Sequence, residues 1–185
     1  MKGFSRANLA FSLCGLHCGL CPMRIDGHCP GCGGGAGNQS CAIAKCSLQH
    51  NNVEYCFLCS EYPCQKYNGI EEYDSFITHQ RQLRDITRAL EMGMELYNGE
   101  QTQKAEILQT LLANYNDGYR KTFYCVAVNL LPLQDIKNAM QQMAEDSSFG
   151  TFTGKEKAEY VVSLFRQIAD QQGLVLKLHK KPAKK

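Results

Sequence analysis

Ten cysteines fall within 51 residues, at Cys14, Cys18, Cys21, Cys29, Cys32, Cys41, Cys46, Cys56, Cys59 and Cys64. The 121 residues after Cys64 hold one more, Cys125. Thiols at this density pair as disulfides, bind metal or carry redox chemistry. The spacing favours metal. It runs C-x3-C-x2-C, then C-x2-C, C-x4-C and C-x2-C, and closes on Cys64. Two residues between cysteines let a tight turn aim both sulfurs at one ion, and such a pair is half of a tetrahedral site.

The segment from Cys29 to Gly33 is the most telling. Pro30 presets its turn, and Gly31 and Gly33 relieve crowding, so backbone amides can approach the sulfurs and share their charge. This resembles the metal knuckle of rubredoxin and of zinc ribbons. Ten sulfurs suit two four-sulfur sites with two left over, or sites completed by His17, His28 or His50. The spacing does not say which cysteines share an ion. Zinc, mononuclear iron and iron–sulfur clusters all accept tetrahedral sulfur. The C-x3-C-x2-C opening matches the cluster spacing of radical S-adenosylmethionine enzymes, but too little chain follows to build their barrel. The compact cysteine run of ferredoxins is absent. Zinc, about two ions per chain, is therefore favoured, with an iron–sulfur cluster as the alternative.

The compartment decides between metal and disulfide. Lys2 and Arg6 precede a short apolar run, as in a secretory leader, but Asn8 and Ser12 interrupt it. Leu13 stands before Cys14, where a lipoprotein signal wants a small residue. No run of about 20 apolar residues spans a membrane. These features read as a cytoplasmic chain, whose thiols stay reduced. The net charge is +2 over 185 residues, and five lysines crowd the end, Lys177, Lys180, Lys181, Lys184 and Lys185. Without them 15 basic residues face 18 acidic ones. No basic face marks a nucleic-acid protein, and the tail alone suggests nucleic acid only weakly.

The elements that must position these thiols divide the chain at about residue 68. Residues 1–68 are loop-like, with Gly33, Gly34, Gly35 and Gly37 in their midst, and metal would supply the stability that a thin apolar core cannot. Residues 69–179 carry regular patterns, and 180–185 form a lysine-rich tail. Tyr73, Phe76, Ile77, Leu83, Ile86, Leu90, Met94 and Tyr97 predict one long amphipathic helix, stopped at Asn98-Gly99. Ile107 to Tyr115 predict a second helix. The continuous apolar run from Thr122 to Leu131 predicts a buried strand. Leu133, Ile136, Ala139, Met140 and Met143 predict another helix behind Pro132. Thr153 and Glu156 have capping-box spacing and open a helix through Ala169, ended by Gly173. Alternation in Leu174–His179 predicts an edge strand. The expected class is α+β: a small irregular metal-stabilised module, then a mainly helical part with two short strands, in the order α-α-β-α-α-β.

The cysteine series resembles the domain-of-unknown-function 3795 family, cysteine-rich proteins mostly from bacteria and archaea. The matching pieces are Cys14, Cys18, Cys21 and Pro22, then Cys29, Gly31 and Cys32. Cys41, Ile43 and Cys46 follow, then Cys56, Cys59, Tyr62, Pro63 and Cys64. The match covers about residues 10–65. The segment from Tyr119 to Leu133 looks like a recurring companion. The C-x4-C spacing at Cys41 and Cys46 departs mildly from the pattern. The resemblance implies a prokaryotic zinc-binding module and no reaction.

No nucleophile–base motif, phosphate loop or dinucleotide fingerprint is present, so no catalytic residue is assigned. All-sulfur ligands favour closed structural sites over a catalytic zinc. The expected role is a binding or interaction module with a protein partner, and Phe57, Leu58 and Tyr62 are candidate contacts or a lid packed over the last knuckle. A thiol redox protein is the alternative. Cys125, in an apolar run with no second ligand nearby, reads as a buried small hydrophobe.

Overall fold

The computed structural model describes residues 2–35 and 41–182. Gly37 of the glycine run and Lys184 and Lys185 of the tail lie outside the described residues. Seven α-helices appear among those described, and no strand. They are α1 (Pro22–Ile25), α2 (Ala42–Gln49), α3 (Gln82–Met92), α4 (Met94–Asn114), α5 (Lys121–Leu130), α6 (Leu133–Glu145) and α7 (Gly154–Gln171). The α+β expectation is therefore wrong, and both predicted strands are corrected.

The first correction is α5. Its residues 124–130 are buried without interruption. A helix hidden on every side shows no apolar stripe, so its sequence looks like a buried strand. β-branched Val126 and Val128 strengthened that reading, and packing overrode the weak propensity. The second correction is the stretch after Gly173. Leu174, Leu176 and Leu178 are indeed half-buried and alternate with exposed Val175, Lys177 and His179. The alternation is real, but no neighbouring strand completes a ladder. Instead the backbone amide of Asp74 donates to the His179 carbonyl at 2.7 Å. The amide of His179 donates in return to the Asp74 carboxylate at 2.7 Å.

Helix boundaries also differ. The long helix expected from Tyr73 to Tyr97 begins only at Gln82 and breaks at Gly93, whose φ of +82° suits glycine. The helix then restarts at Met94 and runs through Asn98-Gly99 to Asn114, absorbing the second predicted helix. Asn98 does not end it, and its side-chain oxygen accepts a hydrogen bond from Asn8 at 3.1 Å. Nor is the cysteine-rich part wholly loop, since it contains α2.

The chain forms two compact units, Met1–Gln101 with Leu178–Lys185, and Thr102–Lys177. The first has a core of Phe11, Tyr55, Tyr67, Ile86, Ala89 and Tyr97. Residues from the cysteine-rich segment and from α3 and α4 thus share one core. In the second, buried residues of α6 (Ile136, Ala139, Met143) and of α7 (Ala158, Val161, Val162, Phe165) lie on helices that pack together. Leu133 to Met143 is helical as predicted. The Thr153 capping box is present, with the Glu156 amide donating to Thr153 Oγ1 at 3.3 Å and the Thr153 amide to the Glu156 carboxylate at 2.7 Å.

Candidate metal centre

All eleven cysteines are thiols rather than disulfides. Ten of them lie in the first unit. Cys125 lies in the second, buried within α5. Its expected burial holds, on a helix instead of a strand. Cys125→Ala should leave metal content unchanged and cost about 1–2 kcal/mol through lost packing, read by urea unfolding. Loss of an ion in that variant would contradict the placement.

The N-terminal thiols sit on short turns. Residues Cys18–Leu20 make one turn of tight helix, and α1 follows directly from Cys21 with Pro22 at its start. The backbone amides of Met23 and Arg24 oppose the rise that burial gives the Cys21 thiol. The backbone of Cys32 likewise opposes the rise at the Cys18 thiol. The amides shown serve Cys18 and Cys21. Cys18 interacts electrostatically with Cys21, Cys29 and Cys32. Cys14 interacts with Cys18, Cys32 and Cys41, and Ser12 Oγ lies 3.3 Å from its sulfur.

Two glycines make this packing possible. A Cβ on Gly31 would stand 2.5 Å from the Leu9 carbonyl, and one on Gly33 would stand 2.8 Å from the Arg6 backbone. Both have positive φ. Arg6 is the residue that sequence reasoning missed here, having been read only as a charge before an apolar run. It is buried, and its guanidinium donates to the carbonyls of Phe11 (2.9 Å), Cys32 (3.4 Å) and Glu54 (2.8 Å). One side chain therefore ties three loops of the cysteine-rich segment together. Nothing in its neighbours along the sequence signals this.

The later thiols surround a pocket of about 30 Å³. Cys46, Cys56, Cys59 and Cys64 line it, together with His50. Ile43, Cys46 and Ser47 lie on one face of α2, at three- and four-residue steps, and His50 follows its end. Cys56 opens a tight turn, and the Cys59 amide donates to its carbonyl at 2.9 Å. Cys64 precedes a second such turn, in which the Tyr67 amide donates to the Cys64 carbonyl at 3.0 Å. Cys41 does not line the pocket and is exposed. It is the extended residue immediately before α2.

Burial pushes several thiols up, Cys14 to about 12 and Cys18 and Cys56 to about 11. Neighbouring sulfurs add to the rise. Reactive cysteine nucleophiles have depressed values, so these are poor candidates for attack without a cation beside them. Burial also raises the Tyr67 hydroxyl, with the Cys56 contact second, which keeps it a proton donor.

The histidines differ in environment. His28 is exposed. His50 borders the pocket, with Nδ1 3.9 Å from the Glu61 carboxylate. His17 is buried, with Nε2 3.0 Å from both the Asp85 carboxylate and the Tyr97 hydroxyl. It is a link between the cysteine-rich segment and the helices. Phe57 stacks on Tyr55 at 5.0 Å and Tyr62 meets Tyr67 edge-on at 5.0 Å, while Leu58 is exposed.

The donors suit an ion by their chemistry. Four thiols face a space the size of one water molecule. Among the described residues, no three His, Cys, Asp or Glu side chains are arranged to hold an ion. Coordination at about 2.3 Å per sulfur would draw the sulfurs inward. No helix among the described residues is long and apolar enough to cross a membrane. No family model, curated protein or solved structure matches the chain.

Proposed function

We propose that this chain is a metal-binding protein whose cysteine-rich segment is held by zinc at closed, all-sulfur sites, and that its role is binding or interaction rather than turnover. One observation carries the reading. The thiols gather in coupled groups, and one group of four lines a single pocket with no carboxylate among its lining residues. A catalytic zinc needs an open position and a nearby general base. Four sulfurs instead close the tetrahedron. The recurrence of C-x2-C pairs supports the same reading.

Anaerobic purification of the untagged chain with elemental analysis is the test. About two zinc ions per chain and no visible colour are expected. A brown protein with stoichiometric iron and sulfide would replace zinc by the redox alternative. A chain that takes up no metal would end the proposal.

A further inference from the structure

Tyr67 is buried to 6% exposure and lines the pocket, yet its hydroxyl has no hydrogen-bond partner. The group it interacts with most strongly is the Cys56 thiol. A neutral thiol is a weak acceptor, whereas a thiolate is a strong one. The orphaned hydroxyl is thus suited to a state in which Cys56 is ionised, and a bound cation produces that state.

We propose that Cys46, Cys56, Cys59 and Cys64 hold one ion in the pocket, and that the Tyr67 hydroxyl donates a hydrogen bond to the Cys56 thiolate. This assignment rests on the metal-binding reading and adds the ligand set to it. Cys46 reaches the pocket from α2, Cys56 and Cys59 from one tight turn, and Cys64 from the start of the next. That second turn also places Tyr67, three residues after Cys64. Loading exchanges four thiol protons for one divalent ion, leaving a site of net charge −2 that a buried donor stabilises. Cys41, the residue just before α2, stands outside. His50 also lines the pocket, but four sulfurs complete a tetrahedron and leave it no position. Tyr67 is a positioning residue, acting on the ion through Cys56.

Cobalt(II) titration of the full chain tests the assignment through the thiolate-to-cobalt charge-transfer band. Cys46→Ser and Cys59→Ser should each lose one cobalt relative to the wild type, while Cys41→Ser and His50→Ala keep full stoichiometry. Tyr67→Phe should keep the ion, shift the charge-transfer band and weaken binding about tenfold. Cadmium NMR of the wild-type chain reads the same ligands without any substitution, through couplings to the β-protons of the four cysteines. Couplings to a different set, or loss of the ion in His50→Ala, would overturn the ligand assignment while metal binding stands. A Tyr67→Phe variant with unchanged band and affinity would overturn the role of Tyr67. A wild-type chain that binds no cobalt would overturn both this assignment and the metal-binding reading beneath it.

Discussion

Removing metal with a strong chelator is expected to melt residues 14–64 and to loosen α3 with them, while α5, α6 and α7 persist. Structural zinc contributes on the order of 10 kcal/mol or more to small cysteine-rich modules at neutral pH. The loss should not stop at the last cysteine. Phe11, Tyr55 and Tyr67 pack in one core with Ile86 and Ala89 of α3 and Tyr97 of α4. His17 is tied to Asp85 and Tyr97 through the same contact. When the cysteine-rich segment comes apart, those helical residues lose one wall. Residues 121–171 have buried faces of their own on α6 and α7. Residue-resolved amide exchange before and after chelation reads the difference. Unchanged protection at residues 14–64 after metal loss would contradict the expectation.

Phe11→Ala should cost about 3–5 kcal/mol, the range for deleting a fully buried aromatic ring. Phe11 is 1% exposed. Its ring centroid lies 5.1 Å from that of His17, 5.9 Å from Tyr55 and 5.2 Å from Tyr97. The substitution therefore opens a cavity where three segments meet. Urea unfolding followed by a probe near Tyr55 and another on α3 should show both transitions moving together. A cost below about 1 kcal/mol, or a shift of one probe alone, would mean that the segments do not share a core.

The two misread strands share a physical origin. Local patterns report how a side is buried and not what lies across from it. Val126 and Val128 looked like strand residues because α5 is buried on all sides, which removes the 3.6-residue stripe. Leu174, Leu176 and Leu178 alternate in burial as a strand does, but pairing needs a partner strand, and none is found among the described residues; His179 meets Asp74 instead. Where a stripe or a cap is complete within one element, the sequence was sufficient. That is so for α6 and for the Thr153–Glu156 box at the start of α7.

The sequence by itself determined the chemistry on offer: ten clustered thiols, and C-x2-C pairs that a tight turn can aim. Those are properties of residue type and short spacing. The tertiary structure alone decided which thiols meet. Cys46 comes from a helix, and Cys56, Cys59 and Cys64 from turns ten and more residues later, yet all four line one pocket. The tertiary structure also decided that Cys41 stays outside that pocket, that Arg6 gathers three loops, and that Tyr67 faces a sulfur. Such meetings depend on long-range packing, which spacing along the chain does not encode.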